Sequence, residues 1–451
     1  MTIFQKQQQF YSSGQTLSYS FRKENLIRLK TMILTHQKQL EEALYADLGK
    51  SPTEAYMTEI GLVLSEISYQ LKHLKRNMKQ KRVRTPLSQF PSKSYRLACP
   101  YGSVLIICPW NYPLLLSLQP LAGAMASGNT VTLKLSEYSH HTSLLLKQLI
   151  KENFKEEYIC VQNGDSSVAT ALLQESWNFI FFTGSEKVGR IVYEQAASKL
   201  IPVVLELGGK SPVILDATAP LDLAAKRIVF GKLLNAGQTC VAPDYLLVEK
   251  KVKDQLVERL IFWMRHQYPT PLDNPAYPKI ISSHHFNRIL NLFDQTTILY
   301  GGKSDSHQLK IEPTIIDEPS FDQAIMKEEI FAPILPILCF ETDEQLLSIL
   351  NRFHTPLACY LFTDKKRKNM LLNRFSFGGG CVNDTIIHLA NLNLPFGGIG
   401  TSGIGSYHGG KSFQVFSPYK SVFEKSGSIV LPVRYAPHHR VSQKLIKKFL
   451  K

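Results

Sequence analysis

The stretch Ser103-Val-Leu-Ile-Ile-Cys108 runs directly into the turn Pro109-Trp-Asn-Tyr-Pro113. A short, wholly apolar run that ends at a proline-bounded turn is typical of a buried strand in a parallel sheet. Similar apolar runs, with helix-like stretches between them, follow at Thr130-Val-Thr-Leu, Tyr158-Ile-Cys-Val, Asn178-Phe-Ile-Phe-Phe and Pro202-Val-Val-Leu. Because strand and helix alternate, the sequence predicts an α/β protein with a doubly wound sheet.

Length and composition describe an ordinary globular chain. Its 451 residues are enough for two or three domains, and 44% of them are hydrophobic and 20% charged. The apolar runs are all shorter than the roughly 18 to 20 residues that cross a bilayer. The polar start, Met1-Thr-Ile-Phe-Gln-Lys, has no signal-peptide core, so we expect a cytoplasmic location.

The rest of the chain predicts more helices and a second α/β region. Leucine and isoleucine recur at helical spacing between residues 20 and 84. The second region begins at Ser211-Pro-Val-Ile-Leu and extends to about Pro418. We expect loops at Gly378-Gly-Gly380 and from Gly397 to Gly410, and a final strand at Ser428-Ile-Val-Leu-Pro432.

Cys240 is the cysteine most suited to chemistry among the seven in the chain. It ends the run Asn235-Ala-Gly-Gln-Thr-Cys240, whereas the other six have mainly apolar neighbours and are expected to be small buried hydrophobes. None forms a Cys-x-x-Cys pair, so a zinc site or a disulfide framework is not expected. Cys240 is therefore a candidate nucleophile.

Two other segments supply groups that such a thiol needs. Glu206 opens Glu206-Leu-Gly-Gly-Lys-Ser211 and is a candidate general base. Asn111 lies between the two prolines of its turn, where its amide could hold a developing oxyanion. A rigid loop with a structural asparagine is the alternative for that turn.

Two short patterns are candidates for binding phosphate or ribose. Lys134 and Glu137 follow a predicted strand, at the edge where open α/β sheets bind ligands, although a surface ion pair is the alternative. Gly184-Ser-Glu-Lys-Val-Gly189 follows another strand and opens a predicted helix, whose N-terminus could take a pyrophosphate. Its glycine spacing does not match the usual dinucleotide fingerprint.

Other matches lack the required context. Gly398-Ile-Gly400-Thr-Ser-Gly403 fits G-x-G-x-x-G, but no apolar strand precedes it. Gly405 to Ser412 fits the Walker A pattern letter for letter, yet a Gly-rich loop comes before it and we expect no helix after it. The histidine pairs show no ligand spacing with carboxylates, so no metal site is expected.

The net charge of +15 is concentrated in two acid-free runs, Lys72 to Arg84 and Arg434 to Lys451. Solvated surfaces are the ordinary interpretation, and no nucleic-acid motif accompanies either run. Between Ser442 and Leu450, apolar residues recur at helical spacing among lysines. This tail could lie on an anionic membrane, or it could cover a partner subunit or the substrate entrance.

Seven motifs occur together in one order, and they strongly resemble those of the aldehyde dehydrogenase superfamily. They are Pro109-Trp-Asn-Tyr-Pro, Lys134-x-Ser-Glu, Phe182-Thr-Gly-Ser, Glu206-Leu-Gly-Gly-Lys, Gly237-Gln-Thr-Cys, Glu328-Glu-Ile-Phe and Leu394-Pro-Phe-Gly-Gly. The segment from Gly237 to Tyr245 and Ser406-Tyr-His-Gly look like the class 3 branch, which oxidises fatty and aromatic aldehydes with NAD or NADP.

The resemblance implies a role for each motif. Cys240 would be the nucleophile and Glu206 the base, and Asn111 with the Cys240 amide would form the oxyanion hole. Lys134 and Glu137 would hold the adenosine ribose, with Glu137 slightly favouring NAD. Gly184, Ser185, Val188 and Gly189 would lie by the pyrophosphate, and Glu329 and Phe331 by the nicotinamide. Tyr112, Leu116, Thr239 and Phe396 would line an apolar aldehyde pocket.

The resemblance also implies an aldehyde dehydrogenase-like fold of three parts and a homodimer. Residues 1–84 and 101–207 would form a doubly wound NAD(P)-binding domain, and residues 208–417 an α/β catalytic domain. Residues 85–100 and 418–435 would form a small bridging β-sheet, and 436–451 a basic tail.

Two positions depart from the family pattern. Leu135 stands where the family usually has proline, which loosens the backbone beside two cofactor ligands. Ala332 stands where it usually has glycine, which implies that this position does not need a positive φ. Three other functions stay open: a CoA-acylating aldehyde dehydrogenase, a non-catalytic binding module, and a nucleotide triphosphatase that uses Gly405 to Ser412.

Overall fold

The computed structural model of the chain describes residues 1–430, 433, 435–437 and 439–449. The α-helices are α1 Ile3–Ser12, α2 Tyr19–Thr35, α3 Gln37–Leu48, α4 Pro52–Ala55, α5 Gly61–Met78, α6 Leu115–Ser127, α7 His140–Asn153, α8 Ser166–Leu173, α9 Glu186–Ala197, α10 Leu221–Leu233, α11 Lys253–Gln267, α12 Ser283–Asn291, α13 Ala324–Lys327, α14 Asp343–Leu350, α15 Lys365–Arg374, α16 Gly410–Val415 and α17 Arg440–Phe449.

The strands form two large sheets and two small ones. They are β1 Lys81–Val83, β2 Ser92–Ala98, β3 Ser103–Ile107, β4 Thr130–Lys134, β5 Ile159–Gln162, β6 Phe179–Thr183, β7 Val203–Glu206, β8 Pro212–Leu215, β9 Tyr245–Glu249, β10 Thr297–Tyr300, β11 Ser304–Asp305, β12 Lys310–Ile311, β13 Thr314–Asp317, β14 Ile334–Phe340, β15 Ala358–Phe362, β16 Gly379–Val382, β17 Gly403–Ile404 and β18 Tyr419–Lys425.

The first large sheet has the order β17-β7-β6-β3-β4-β5, and the strands from β3 to β7 are parallel. β3, β4 and β6 are buried along their whole length, as their continuous apolar sequences predict. Helices such as α6, α7 and α9 connect them, which confirms the predicted doubly wound α/β sheet. Because the strands are parallel, their carboxyl ends share one edge, where ligands bind in such folds.

The second large sheet has the order β10-β13-β14-β9-β8-β15-β16. Its strands are parallel except for β10, which pairs antiparallel with β13 through an irregular register. The strand predicted at Ser211-Pro-Val-Ile-Leu is β8, which lies near the centre. The two large sheets therefore correspond to the two α/β regions expected from the sequence.

The third sheet is small and antiparallel, with the order β1-β2-β18. β2 and β18 lie within the ranges proposed for the bridging sheet. β1, however, begins at Lys81, in a stretch that the sequence predicted to be helical. The last described strand ends at Lys425, so the strand predicted from Ser428 is wrong for residues 428–430. Leu431 and Pro432 lie outside the described residues.

Two predicted glycine loops are partly regular structure. Gly379 and Gly380 belong to strand β16, because the missing side chain allows close pairing with β15: a Cβ on Gly380 would collide with the Cys359 carbonyl oxygen. The Gly397–Gly410 span contains β17, which pairs with β7 of the first sheet. Helix α16 then packs on α6, where the Ser127 hydroxyl donates to the Phe413 carbonyl oxygen at 3.0 Å.

Candidate active site

A cavity of about 1400 Å³ opens at the carboxyl-end edge of the first sheet. Strands β3, β4, β6 and β7 all contribute wall residues near their ends. Eleven residues singled out from the sequence line it, namely Asn111, Leu116, Lys134, Glu137, Gly184, Ser185, Val188, Glu206, Cys240, Glu329 and Phe331. Four others, Tyr112, Gly189, Thr239 and Phe396, are not among the wall residues.

The outer part of the cavity carries a buried ammonium and a partly exposed carboxylate. Lys134 ends β4 with its ammonium only 3.6 Å from the Glu137 carboxylate, and the lysine side chain is 4% exposed. The same ammonium donates to the Leu135 carbonyl oxygen at 2.7 Å. A buried lysine with a half-exposed carboxylate partner is not the ordinary surface ion pair considered above.

Helix α9 points its N-terminus at the same region. Ser185 caps the helix, and its hydroxyl accepts from the Val188 amide at 3.4 Å. Gly184 comes just before the cap, and its amide donates to the Glu206 carbonyl oxygen at 3.0 Å. Gly189 lies one turn into the helix and is buried, which explains why it is not a wall residue.

Strands β6 and β7 bring two polar side chains to the inner part of the cavity. Their register places Thr183 opposite Glu206. Glu206 is 2% exposed, and both of its carboxylate oxygens lack a hydrogen-bond partner, as does the Thr183 hydroxyl. Buried polar atoms without partners are costly in a folded protein. Both side chains are therefore available to a ligand or a water.

The loop before Cys240 has an unusual backbone. Asn235, Ala236 and Gly237 have φ values of 52°, 50° and 75°, so three consecutive residues occupy the left-handed region. Non-glycine residues rarely adopt it, and such strain persists only where surrounding contacts enforce the conformation. The chain therefore turns sharply ahead of the thiol.

Hydrogen bonds tie the Asn111 turn to this loop. The Asn111 side-chain amide donates to the Gln238 carbonyl oxygen at 3.0 Å. The Asn235 side-chain amide donates to the Asn111 carbonyl oxygen at 2.8 Å. Tyr112 and Thr239 pair through their hydroxyls at 2.5 Å, which places both behind the loop and away from the cavity.

A buried ion pair from the N-terminal helices fixes the Asn111 turn, and no local sequence signal indicates it. Lys50 and Glu59 are fully buried, with Nζ and Oε1 2.6 Å apart. Lys50 also donates to the Asn111 carbonyl oxygen at 3.0 Å. The second Glu59 oxygen accepts from the amides of Leu114 and Leu115 at 2.9 and 3.1 Å. The turn is thus held on both sides.

Glu54 supports the strained loop in the same way. Its carboxylate accepts from the Asn235 amide at 2.6 Å. Burial raises the pKa of Glu54 to about 7, although the charge of Lys50 opposes this shift. Together, Glu54, Lys50 and Glu59 connect the N-terminal helices to both catalytic segments.

The Glu329–Phe331 segment forms the opposite wall. Phe331 has a φ of 52° and packs edge-on against Trp110, with ring centroids 5.5 Å apart. The positive φ therefore falls on Phe331, and Ala332, where the family usually has glycine, does not need one. The Glu329 carboxylate packs against Gly208, where any Cβ would collide with it. Burial raises the pKa of Glu329 to about 8.

A second buried ion pair, Lys210–Asp244, connects three loops of the site. Lys210 Nζ lies 2.6 Å from Asp244 Oδ2 and also donates to the carbonyl oxygens of Ile325 and Glu328 at 2.8 and 2.9 Å. The other Asp244 oxygen accepts from the Ile330 amide at 2.9 Å. Lys210 follows Glu206 by four residues, and Asp244 follows Cys240 by four. The pair therefore joins the base loop, the thiol loop and the Glu329 segment.

The electrostatics of the cavity differ from those of free side chains. Burial raises the pKa of the Cys240 thiol well above its usual range, and the charges of Glu329 and Glu206 raise it further. The backbone amides of Cys240 and Val241 act in the opposite direction. Burial also raises the pKa of Glu206.

Of the predicted aldehyde-pocket residues, Leu116 lines the cavity and Phe396 belongs to a neighbouring aromatic cluster. The Phe396 ring stacks on His408 with centroids 5.0 Å apart and an interplanar angle of 13°. His388 lies 6.1 Å from Phe396 by the same measure. Sequence reasoning also missed wall residues such as Trp110, although Trp110 precedes Asn111 in the quoted turn.

Comparison with known proteins agrees with this geometry. A model of the family described as "Aldehyde dehydrogenase family" matches residues 3–422. The chain belongs to the aldehyde dehydrogenase family. It is therefore an oxidoreductase that oxidises an aldehyde with NAD or NADP. The resemblance inferred from the seven ordered motifs is confirmed.

Two relatives and one solved structure show how complete the similarity is. The "4,4'-diaponeurosporen-aldehyde dehydrogenase" of Staphylococcus aureus is 46% identical, over 98% of this chain and 97% of the relative. The "Aldehyde dehydrogenase, dimeric NADP-preferring" of Canis lupus familiaris is 39% identical, over 96% and 97%. The structure "Substrate bound state of Staphylococcus Aureus AldH" has a TM-score of 0.98 and 45% identity, and covers 100% of this chain and 99% of that one.

The unusual Leu135 of this aldehyde dehydrogenase makes a contact that proline could not make. Its backbone amide donates to the Gln162 carbonyl oxygen at 3.2 Å, and its side chain is buried. A proline has no such donor. The hydrogen bond to β5 replaces the restraint that the sequence analysis expected to be lost beside Lys134.

The Walker A match is part of the enzyme's interior. Contrary to expectation, a helix follows it, since α16 begins at Gly410. However, the Gly409 amide donates to the Glu66 carboxylate at 2.9 Å, and the Ser412 hydroxyl accepts from the His408 amide at 3.0 Å. A phosphate would have to displace a buried carboxylate. Within the described residues, no group of three or more His, Cys, Asp and Glu could hold a metal ion.

We predict that Asp244→Asn weakens both folding and cofactor binding. The substitution leaves Lys210 without its counter-charge in a buried site, which costs about 3–5 kcal/mol of unfolding free energy. Because the same pair holds the Ile325–Ile330 backbone, we expect NAD affinity to fall at least about tenfold, equivalent to about 1.4 kcal/mol. Denaturant titration and quenching of tryptophan fluorescence by NAD measure the two effects.

The matched control is Glu341→Gln, which removes a surface pair with Lys250 of the same length, 2.6 Å. Exposed pairs contribute about 0–1 kcal/mol, so this variant should keep its stability and NAD affinity. Normal NAD affinity in a folded Asp244→Asn protein would show that the pair does not position the cofactor wall.

Proposed function

We propose that this enzyme oxidises an apolar aldehyde to its carboxylic acid, with Cys240 as nucleophile and Glu206 as general base. The observation that carries the proposal is the convergence of both residues, Asn111 and the Lys134 region on one cavity. A covalent route needs a thiol, oxyanion donors and a base around one carbonyl carbon. These groups belong to three separate loops, which the two buried ion pairs hold in place.

The cavity also fits a dinucleotide cofactor. Lys134 and Glu137 suit a ribose, the N-terminus of α9 suits a pyrophosphate, and Glu329 and Phe331 form a wall near Cys240. NAD is favoured over NADP because the Glu137 carboxylate would repel a 2′-phosphate. When bound, the cofactor accepts the hydride that leaves the carbonyl carbon.

In the first step, the Cys240 thiol gives its proton to a water, its sulfur forms a bond to the aldehyde carbon, and the electrons of the carbonyl double bond move to the oxygen. The Asn111 side-chain amide and the Cys240 backbone amide donate hydrogen bonds to the oxygen as it becomes negative. One such donor contributes about 3–4 kcal/mol to the transition state. The Gln238 carbonyl oxygen, 3.0 Å from the Asn111 amide nitrogen, orients this donor.

Loss of hydride leaves a thioester on Cys240, which a water must then hydrolyse. Glu206 takes a proton from that water, the new carbon–oxygen bond forms and the carbon–sulfur bond breaks. Its two buried oxygens without partners and its raised pKa support this role. A CoA-acylating enzyme would instead pass the acyl group to CoA and would have less need of this base.

We expect the best substrates to be apolar. Leu116 lies on the cavity wall, whereas Phe396, which was also predicted for the aldehyde pocket, stacks on His408 and is not among the wall residues. The Staphylococcus aureus relative is named for 4,4'-diaponeurosporen-aldehyde. The same aldehyde is therefore the first substrate to test.

An aldehyde panel tests the proposal. The panel contains 4,4'-diaponeurosporen-aldehyde, a long straight-chain aldehyde, benzaldehyde and betaine aldehyde, each with NAD and with NADP. We expect kcat/KM for the apolar aldehydes to exceed that for charged betaine aldehyde by about 100-fold. Cys240→Ala should abolish NADH formation with all of them. Substantial turnover by that variant, or acyl-CoA as the product when CoA is added, would overturn the proposal.

Glu206→Gln should separate the two chemical steps. The amide has no proton-accepting carboxylate, so thioester hydrolysis should slow by about 100-fold or more. NADH should still form in a burst of about one equivalent per active site, because the hydride step does not use this base. Rapid-mixing absorbance measures the burst and the later steady state. An unchanged steady-state rate would remove Glu206 from the mechanism.

We also propose that the enzyme is a homodimer formed through sheet edges. β18 lies at one edge of the small sheet and β16 at one edge of the second large sheet. Phe423 in β18 and Val382 in β16 are apolar and more than 40% exposed. Unpaired edges with exposed apolar residues favour pairing with another chain. The dog relative is described as dimeric.

Light scattering after size exclusion tests the dimer. The wild-type mass should be twice 51.1 kDa, and Phe423→Lys should shift it towards 51.1 kDa. Phe262→Lys is the matched control, because Phe262 is a similarly exposed aromatic on helix α11. A monomeric wild-type protein, or equal shifts in both variants with unchanged circular dichroism, would contradict the sheet-edge dimer.

The free cysteines suit a reducing compartment. All seven are unpaired in the structure, and Cys99, Cys339 and Cys381 are partly exposed rather than buried as expected. Exposed thiols persist in the cytoplasm, where disulfides are rare. We therefore propose a cytoplasmic enzyme. No helix within the described residues is long and apolar enough to cross a membrane.

A further inference from the structure

The C-terminal helix α17, Arg440–Phe449, separates charge from apolar side chains around its circumference. At about 100° per residue, Val441, Leu445 and Ile446 fall within an arc of about 140°. The four basic residues fall on a separate arc of about 100°, at positions Arg440, Lys444, Lys447 and Lys448. A helix with one apolar face and one lysine-rich face is typical of segments that lie in a membrane interface.

Helix α17 has little contact with the rest of the described chain. Val441 is 69% exposed, and Leu445 and Ile446 are only partly covered. Among the described residues, its side chains form neither hydrogen bonds nor ion pairs. Val441 therefore faces solvent while Leu445 and Ile446 are of intermediate burial, and within the described part of the chain the basic face has no acidic partner.

The chain before the helix shows the same combination of properties. Ile429 and Val430 are 49% and 67% exposed. They follow Lys425, whose ammonium donates to the carbonyl oxygens of Gln89 and Phe90 at 3.0 and 3.3 Å. Phe90 is itself 65% exposed and Leu87 79%. Lys425 thus ties the end of β18 to the loop of Leu87 and Phe90, and the chain segments on both sides of this contact expose apolar residues.

The charge around this surface is mainly positive, although Glu424 of β18 is an acidic neighbour. Residues 426–451 contain six Lys or Arg and no Asp or Glu. Strand β1 of the same sheet adds Lys81 and Arg82. Basic residues close to an anionic surface each add to its attraction, and apolar residues add insertion below the headgroups. A nucleic acid would not use the apolar face, and a protein partner would need an apolar patch ringed by acids.

We propose that α17, together with the exposed residues around Phe90 and Val430, docks on the surface of an anionic lipid bilayer. The helix lies in the plane of the interface, with Val441, Leu445 and Ile446 below the headgroups and the lysines among them. The enzyme is then a peripheral membrane protein whose attachment is reversible by salt. This inference does not depend on which aldehyde the enzyme oxidises.

Vesicle flotation with the full-length enzyme tests this inference. The probe is vesicles of phosphatidylcholine with 30–40% phosphatidylglycerol, about the anionic content at which surface attraction is strong, compared with phosphatidylcholine alone. The variant is Lys444→Gln/Lys447→Gln/Lys448→Gln. The matched control is Lys365→Gln/Lys366→Gln/Lys368→Gln on helix α15, which removes the same charge from another basic helix.

We expect the wild type and the α15 variant to float with anionic vesicles at low salt and to be released at high salt. The α17 variant should bind at least about tenfold more weakly, as expected for three lost lysines. Leu445→Ser/Ile446→Ser should also weaken binding, which separates insertion from charge attraction alone. All variants should keep the wild-type melting temperature and turnover of a water-soluble aldehyde.

Three results would overturn the inference. The first is absence of wild-type flotation in either salt. The second is equal weakening by the α15 and α17 variants, which would mean attraction by net charge alone. The third is a change in oligomeric mass when α17 is altered, without vesicle binding by the wild type, which would assign the helix to a partner subunit.

Discussion

The buried pair of Lys210 and Asp244 is the contact on which the assembly of the site depends. Each residue lies four positions after a catalytic candidate, Glu206 or Cys240, and their side chains meet at 2.6 Å. Lys210 also donates to two backbone carbonyl oxygens within residues 325–330, and the second carboxylate oxygen of Asp244 accepts from a backbone amide of the same segment. Burying a charge costs several kcal/mol of folding free energy unless the charge is fully hydrogen-bonded. Both Lys210 and Asp244 meet this condition.

The Lys50–Glu59 pair performs the equivalent task on the other side of the cavity. It holds the Asn111 turn through one carbonyl oxygen and the start of α6 through two amides. Glu54 adds a bond to Asn235, in the strained loop before the thiol. The helical N-terminus is thus part of the catalytic structure. Three left-handed residues in succession can persist because these buried contacts enforce them.

The strands and helices could be predicted from the sequence more fully than the buried polar contacts that connect them. Apolar runs located β3 to β8, because a strand that is buried on both faces has apolar side chains at consecutive positions. Motifs after strands named part of the cavity wall, and the resemblance to the family supplied others, such as Glu329 and Phe331. Lys50 and Glu54 were missed because their partners are 61 and 181 positions away. Strand β16 was missed because a run of glycines usually indicates a loop. Here the glycines allow the backbone of β16 to pack closely against β15.

The burial that prepares the proposed base has an opposite consequence for the nucleophile. Removal from water raises the pKa of Glu206, and it also raises the pKa of the Cys240 thiol, which the charges of Glu329 and Glu206 raise further. A resting thiol is less prone to oxidation than a thiolate. The positive charge of a bound cofactor would lower the pKa of the thiol only once the site is filled. Reactivity would then follow cofactor binding, which makes the loops held by Lys210 and Asp244 part of the control of chemistry.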